Sequence, residues 1–322
     1  MKATQLLYDE DQSLWLDNIT RDLLNIGTLK QYIDELSITG LTSNPTIFDH
    51  AIKNSATYDP AIIQKVKRGI SAEALFFELA IEDLTRAADL FQPIHEKTNG
   101  VDGWVSLEVS PLLAYDTAST LAAAKGLFAQ ANLPNLFIKI PGTKQSLPAV
   151  EEAIFAGVPI NVTLLFSHEQ YLAAAEAYLL GIERRVEARL NPSVDSVASV
   201  FVSRWDAAVA TKVPEKLRNQ LGIAIAKRTY KASSAQLCAL ATYLQPRRSP
   251  TTSPVGQHGN QRSQSFRRAL RQRPGCAIHR EHHARGNIEG AGDSRRIGRI
   301  AAGRRRKQRR SFGAVCQSWY RC

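Results

Sequence analysis

Short apolar runs alternate with longer segments of helical periodicity along residues 1–232. The runs have the alternation of β-strands, and the segments between them repeat apolar residues every three or four positions, as amphipathic helices do. Predicted strands cover residues 13–17, 39–45, 103–109, 135–140, 158–165 and 196–203, and predicted helices include 18–35, 72–91, 117–130, 144–156 and 168–180, with further helices up to residue 231. Such an alternation predicts βα units that share one parallel sheet.

The predicted fold class is α/β, a TIM-type (β/α)8 barrel in which six βα units can be counted along residues 1–232. A closed barrel of this type has eight units, so strands seven and eight are missing from the pattern. Residues 233–322 continue without a sustained period of either kind and form a second region, which we expect to be disordered. The predicted organisation is therefore an incomplete barrel followed by a tail.

Polar side chains recur on one face of five of the six predicted strands. Because side chains alternate across a strand, residues two positions apart share a face, and the apolar neighbours face the helices. The pairs on the polar face are Trp15 with Asp17, Ser106 with Glu108, Phe137 with Lys139, Asn161 with Thr163, and Ser199 with Phe201. In a barrel this face points inward, and polar groups late in the strands belong to the mouth of the active site. The pattern predicts a pocket.

Lys139 lies in the apolar strand at residues 135–140, where hydrocarbon is expected. One interpretation is a lysine near a strand end that extends its ammonium group to solvent. The other is a desolvated amine that acts as a nucleophile towards a sugar carbonyl and forms a Schiff base. The polar groups on the other four strands favour the second interpretation.

The chemistry expected of this pocket follows from its residue types. Two carboxylates near a lysine, Glu108 and Asp17, can move the protons required to form an imine and to cleave a C–C bond. Arg204, just after the sixth predicted strand, suits a sugar phosphate because its planar guanidinium group matches the phosphate oxygens. Residues 1–232 contain no glycine-rich phosphate loop, no metal-ligand spacing and no dinucleotide fingerprint, so neither cofactor nor metal is expected.

Five segments resemble the signature segments of transaldolase in its longer bacterial form, in the family's order, over about residues 5–232. They are WLD at 15–17, GLTSNPT at 40–46, VSLEV at 105–109, FIKIPGT at 137–143 and NVTLLFS at 161–167. The resemblance implies that Lys139 is the Schiff-base lysine. It also implies that Glu108 and Asp17 transfer protons through a water that Thr163 helps to hold. The substrate-binding residues implied are Asn44, Asn161 and Ser199 for hydroxyl groups and Arg204 for the phosphate.

The activity implied by the resemblance belongs to the pentose phosphate pathway. A dihydroxyacetone unit moves from sedoheptulose 7-phosphate to glyceraldehyde 3-phosphate, which gives erythrose 4-phosphate and fructose 6-phosphate. Another class I lysine aldolase of sugar phosphates is the alternative, and product analysis would separate transfer from simple cleavage. We expect sugar-phosphate substrates and a cytoplasmic protein without a membrane span, and both a monomer and a homodimer stay open.

The charge of the chain is unevenly distributed. The net charge is +11 over 322 residues, but residues 233–322 hold 19 of the 41 Lys and Arg and only 3 of the 30 Asp and Glu. Residues 1–232 are therefore net acidic, which disfavours nucleic acid as a partner of the barrel. All four cysteines also lie in the tail, so the barrel region has neither a disulfide nor a thiol nucleophile.

Three interpretations compete for the tail. An arginine-rich segment can bind RNA phosphates. A zinc site could be formed by Cys276, His279, His282 and His283, although these residues lack the paired Cys-x-x-Cys that is typical of structural zinc sites. A shifted reading frame is the interpretation we prefer, because from Leu240 one constant offset permits codons for segments that resemble strands seven and eight of the family. On this interpretation we expect the chain as written to be poorly folded or inactive.

Overall fold

A six-stranded parallel sheet lies at the centre of the computed structural model, which describes residues 2–243, with side chains from residue 2 to residue 234. The strand order is the order of the chain, from β1 to β6 without a crossover between non-neighbours. The strands are β1 (Leu14–Leu16), β2 (Ile38–Thr42), β3 (Trp104–Glu108), β4 (Leu136–Pro141), β5 (Ile160–Leu165) and β6 (Ser196–Val200). The prediction of a parallel α/β sheet with six βα units is confirmed.

At least one helix follows every strand. The helices are α1 (Ala3–Asp9), α2 (Arg21–Asn25), α3 (Thr28–Leu36), α4 (Pro45–Asn54), α5 (Asp59–Val66), α6 (Ala72–Lys97), α7 (Thr117–Ala131), α8 (Leu147–Ala156), α9 (His168–Glu187), α10 (Ser203–Val209) and α11 (Leu221–Tyr243). Side chains cap several of them at the amino end, as when Ser167 and Gln170 form a capping box at α9. None of the helices described here is both long enough and apolar enough to cross a membrane.

The sheet is the six-strand portion of a (β/α)8 barrel. Within residues 2–243, β1 and β6 each pair with a single strand, and each of the four strands between them pairs with two. The predictions on strands seven and eight and on the zinc ligands concern residues outside the described part of the chain, as does the disorder predicted for residues 244–322. The same prediction is wrong for residues 233–243, which belong to α11.

Several helix predictions are wrong in their bounds. The helices predicted at residues 72–91 and 168–180 continue to Lys97 and to Glu187. The segment at residues 18–35 forms two helices, α2 and α3, because Gly27 adopts a left-handed conformation with φ of 77° between them. The last helix does not end at residue 231 but continues through Ala232 to Tyr243, since the sequence there still contains good helix formers. The sixth strand was predicted to reach residue 203 but ends at Val200. Ser203 is instead the first residue of α10.

The apolar core lies between the outer face of the sheet and the helices. The predicted alternation is confirmed there, since the neighbours of the polar residues are buried in this core or pack against it. These neighbours are Leu16, Leu107, Ile138, Val162 and Val200. The long helix α6 contributes a row of buried residues that includes Leu79 and Phe91. The sheet thus has one mainly apolar face, and polar groups concentrate on the other.

A buried polar cluster ties α2 to α6 on the helical side of the sheet. The Tyr58 hydroxyl, fully buried, donates to Asp83 Oδ2 at 2.7 Å and accepts from the Arg21 backbone N–H at 2.9 Å. Arg21 Nε donates to Asp83 Oδ1 at 2.7 Å. Burial, followed by the charge of Asp83, raises the pKa of Tyr58 well above its ordinary value, and burial also raises the pKa of Asp83 despite Arg21. Tyr58 therefore remains protonated in the folded chain.

This cluster predicts a loss of stability at alkaline pH. Above about pH 10 the unfolded chain loses the Tyr58 proton and the folded chain keeps it, so the free energy of unfolding falls with rising pH, by up to about 1.4 kcal/mol per pH unit. Tyr58→Phe should remove this contribution and cost about 1–3 kcal/mol at neutral pH, because Asp83 loses a partner. Urea unfolding of the full chain at several pH values measures both effects.

Tyr115 provides the control, because its side chain is 65% exposed. Tyr115→Phe should leave the stability at neutral pH and its decline above about pH 10 unchanged. An alkaline slope that is the same in Tyr58→Phe and in the parent chain would contradict the assignment.

Candidate active site

Three polar residues of the inner face stand side by side because of the strand register. Glu108 of β3 pairs with Lys139 of β4, which pairs with Asn161 of β5. Residues paired in a parallel sheet point to the same side, so their side chains form one row across three strands. The prediction from alternation that all three face inward is confirmed. The register also shows that they lie at the same level along the strands.

Lys139 is almost entirely buried, with 6% of its surface exposed. Its Nζ donates to the backbone carbonyl of Ser43 at 3.0 Å and lies 3.2 Å from Glu108 Oε2. The side chain of Glu108 is itself only 10% exposed. A buried charge is costly unless it is paired and hydrogen-bonded, and Lys139 has both kinds of partner. The lysine extends into the site, so the interpretation in which its amine reaches solvent is wrong.

Asn161 belongs to a chain of buried hydrogen bonds that runs parallel to the sheet. Ser199 Oγ of β6 donates to Asn161 Oδ1 at 2.8 Å, and Asn161 Nδ2 donates to Ser106 Oγ of β3 at 3.3 Å. Each of the three residues is at most 3% exposed. The two bonds fix which end of the Asn161 amide faces β3 and which faces β6. A rigid amide therefore lies beside Lys139.

Thr163 ends the polar face of β5 next to a β-bulge. The register with β6 shifts between Val162 and Leu165, and Leu164 has a left-handed φ of 58°. Thr163 is 1% exposed and Leu165 is fully buried in the core, whereas Leu164 is 41% exposed. The bulge breaks the two-residue alternation, so Thr163 remains on the face of Asn161 while Leu165 turns to the helices.

Stacked aromatic rings lie below the row of polar residues, towards the amino ends of the strands. Phe137, two residues before Lys139, stacks on Trp104 with ring centroids 4.0 Å apart and on Trp15 at 6.1 Å. Gly40 of β2 makes room for this layer, since a Cβ on Gly40 would lie 2.6 Å from the Trp15 indole. The aromatic layer closes the inner face beneath the Lys139 amine.

Three other predicted site residues lie at the carboxyl ends of strands. Asp17 directly follows β1 and is exposed, and Arg204 is exposed in the first turn of α10 after β6. Asn44 follows β2 and is half-buried, and its Oδ1 accepts the Ile47 backbone N–H at 3.0 Å as the cap of α4. Parallel strands share one edge for their carboxyl ends, so all three belong to the same edge as Lys139.

Ser43 of the site was not predicted, and Ser106 was predicted only to lie on the polar face. Ser43 supplies the carbonyl that binds Lys139, and Ser106 links Asn161 to β3. Ser106 shares the face of Glu108, so alternation signals its position but not its bond. Ser43 lies in a loop, where no periodicity indicates which way a group points. Among residues 2–234, no group of three or more His, Cys, Asp and Glu side chains is arranged to hold a metal ion.

A family model described as Transaldolase/Fructose-6-phosphate aldolase matches residues 14–244. The chain belongs to this family. The predicted family resemblance is thus confirmed, and the match reaches beyond residue 232, the end of the predicted resemblance, to residue 244. The segments that carry Glu108, Lys139 and Asn161 all fall inside the matched range of the transaldolase/fructose-6-phosphate aldolase family model.

Several bacterial proteins named transaldolase are similar to the chain. The chain is 43% identical over 197 residues to "Transaldolase 2" of Nostoc punctiforme, an alignment that covers 61% of this chain and 52% of the relative. It is 41% identical over 239 residues to "Transaldolase" of Arthrobacter sp., covering 71% and 64%. It is 42% identical over 250 residues to "Transaldolase" of Thermobifida fusca, covering 74% and 68%. The chain thus spans 52% to 68% of the length of these relatives.

The aromatic layer predicts that Gly40 cannot be enlarged. Gly40→Ala should lower the free energy of unfolding by about 1–3 kcal/mol, because the new methyl group overlaps the Trp15 ring. Gly126→Ala is the matched control, since nothing lies within 4 Å of a Cβ at this helical position. It should raise the stability by about 0.5–1 kcal/mol. Urea unfolding measures both changes, and equal stability of Gly40→Ala and the parent chain would refute the packing described.

Proposed function

We propose that this chain derives from a transaldolase that transfers a dihydroxyacetone unit between sugar phosphates. The buried Lys139 amine, 3.2 Å from Glu108 and in register with Asn161, is the observation that carries the proposal. A lysine in such a position can form an imine with a ketose without any cofactor. Family membership and the printed names of the relatives give further support.

The covalent chemistry starts at the Lys139 amine. Its lone pair adds to the ketone carbon of the donor sugar, and the carbonyl oxygen takes a proton to give a carbinolamine. The nitrogen gives up one proton, and protonation of the new hydroxyl group then releases water and leaves a protonated imine. Glu108, beside Nζ, is the proposed acid and base for these transfers, because a carboxylate within hydrogen-bond reach can both give and accept the proton.

Cleavage and transfer need a second set of proton movements. A base takes the proton of the C4 hydroxyl, the C3–C4 bond breaks, and its electron pair moves into the iminium group to give an enamine and a free aldehyde. The enamine then attacks the aldehyde carbon of the acceptor, whose oxygen takes up a proton, and water hydrolyses the new imine. We assign these steps to Glu108 and Asp17, acting through a water that Thr163 helps to hold.

Substrate binding is assigned to the remaining predicted residues. Asn161 and Ser199, held by their mutual hydrogen bond, present fixed polar atoms to the hydroxyl groups of the bound sugar. Asn44 uses its Oδ1 as a helix cap, so its amide NH2 group is the proposed donor. Exposed Arg204 is the proposed phosphate ligand, because a guanidinium group binds phosphate oxygens in pairs.

Simple cleavage is the second candidate function. The family description joins transaldolase with fructose-6-phosphate aldolase, and the same imine serves both reactions. The two differ in the fate of the enamine, which is protonated in an aldolase and attacks an acceptor aldehyde in a transaldolase. Analysis of the products with and without an acceptor separates the two.

We also propose that the chain after about Leu240 is translated in a shifted frame. The family match ends at residue 244, whereas the basic sequence continues to residue 322. Sequencing of the DNA from the Ala232 codon onwards tests this proposal directly. A version whose codons after Leu240 are read one base later, called the restored chain here, should have transaldolase activity that the written chain lacks, because a closed barrel needs eight strands.

A trapping experiment tests the role of Lys139. Borohydride with fructose 6-phosphate should leave a covalent adduct on Lys139 of the restored chain. Lys139→Ala should abolish the adduct and lower the activity by several orders of magnitude, because the covalent route is removed. Lys144→Ala, which alters an exposed lysine of the same segment, should change neither. Mass spectrometry of the peptides locates the adduct, and an adduct on another lysine would overturn the assignment.

Glu108→Gln tests proton transfer. Glutamine keeps the shape of the side chain but cannot exchange protons, so kcat of the restored chain should fall by about 10²- to 10⁴-fold while the imine still forms slowly. Glu176→Gln, at an exposed position of α9, is the control and should retain full activity. An unchanged kcat in Glu108→Gln would limit Glu108 to a structural pairing with Lys139.

A further inference from the structure

Ser43 lies in the short loop between β2 and α4, and both sides of this loop are fixed. Thr42, the last residue of β2, pairs with Ser106 of β3. Asn44 caps α4 with its side chain. Ser43 itself has no exposed surface. The loop therefore has little freedom to move relative to β3.

The hydroxyl group of Ser43 fastens the loop to β3. Ser43 Oγ donates to the backbone carbonyl of Ser106 at 2.7 Å, a bond between buried groups. A buried hydrogen bond of this length resists displacement, because breaking it would leave two polar groups unpaired. The bond fixes the orientation of the peptide group that follows, whose carbonyl belongs to Ser43.

The carbonyl group of Ser43 in turn holds the Lys139 amine. Lys139 Nζ donates to it at 3.0 Å, and Glu108 Oε2 stands 3.2 Å from the same nitrogen. Apart from its bond to Cε, the nitrogen has three tetrahedral directions. The Ser43 carbonyl occupies one and Glu108 lies beside a second. One direction is left for a substrate carbonyl carbon.

We propose that Ser43 is a positioning residue for the Schiff-base reaction, whose hydroxyl anchors its own carbonyl so that this carbonyl aims the Lys139 nitrogen. The effect on imine formation rests on the proposed function. The contact between the Ser43 carbonyl and Lys139 is present without any reaction. A serine that only paired the Ser106 carbonyl would have no effect on Lys139.

The first measurement follows the Lys139 nitrogen without substrate. In the full chain labelled with ¹⁵N-lysine, side-chain NMR should show slow hydrogen exchange at the Lys139 nitrogen, identified by the loss of its signal in Lys139→Ala. Ser43→Ala should speed this exchange about tenfold or more, because the hydrogen bond to the anchored carbonyl weakens. Ser43→Thr, which keeps a hydroxyl group, should restore slow exchange.

The second measurement follows imine formation by borohydride trapping with fructose 6-phosphate in the restored chain. Ser43→Ala should lower the trapping rate by up to about 10²-fold, because a small displacement of a nucleophile has an effect of this size. KM should change far less than kcat. Ser110→Ala is the control for both measurements, since its hydroxyl group is equally buried and has no hydrogen-bond partner among residues 2–234. It should leave exchange and trapping unchanged.

The outcomes separate the two proposals. Slow exchange that is lost in Ser43→Ala, with no trapping in any chain, supports the positioning by Ser43 and refutes the transaldolase assignment. Trapping that is equally fast in Ser43→Ala and in the parent refutes the positioning and leaves the transaldolase assignment intact. Fast exchange at Lys139 in the parent chain, or slow exchange that Ser43→Ala does not alter, also overturns the role of Ser43.

Discussion

Burial of the Lys139 nitrogen is the constraint on which the inner face depends. A charged or polar nitrogen in the wall of a sheet costs several kcal/mol if its partners are missing. Its partners here are Glu108 from β3 and the Ser43 carbonyl from the loop after β2. Three successive strands must therefore hold their relative heights for one amine to be satisfied, and that requirement links the sheet register to the chemistry.

Two groups of residues around the Lys139 amine fix its environment, one below it and one beside it. The aromatic layer of Trp15, Phe137 and Trp104 fills the inner face below it and blocks approach to the polar residues from the amino ends of the strands. Beside it, the hydrogen bonds of Asn161 set the direction of an amide that would otherwise be free to flip. Both features preorganise the site, which reduces the reorganisation needed when a substrate binds.

Alternation along the strands was sufficient to predict which residues face inward. It placed Glu108, Lys139 and Asn161 correctly because regular strands obey a period of two. It could not predict the bulge at Leu164, where a left-handed residue turns Leu165 to the opposite face of the sheet. It also could not predict the role of Ser43, since a contact made by a backbone carbonyl leaves no trace in side-chain type. The break at Gly27 was hidden by apolar spacing that continues across it.

The unbroken order of strands from β1 to β6 has a consequence for how the chain assembles. Each strand pairs with the one made just before it, so a chain emerging from the ribosome can add every new strand to the edge of what is already folded. Paired residues are 22–36 positions apart in four of the five pairings and 64 apart between β2 and β3. Because the entropy of loop closure grows only slowly with loop length, its cost stays moderate at each addition. Lys139 can meet Glu108 as soon as β4 joins the growing edge, well before the last helix has been synthesised.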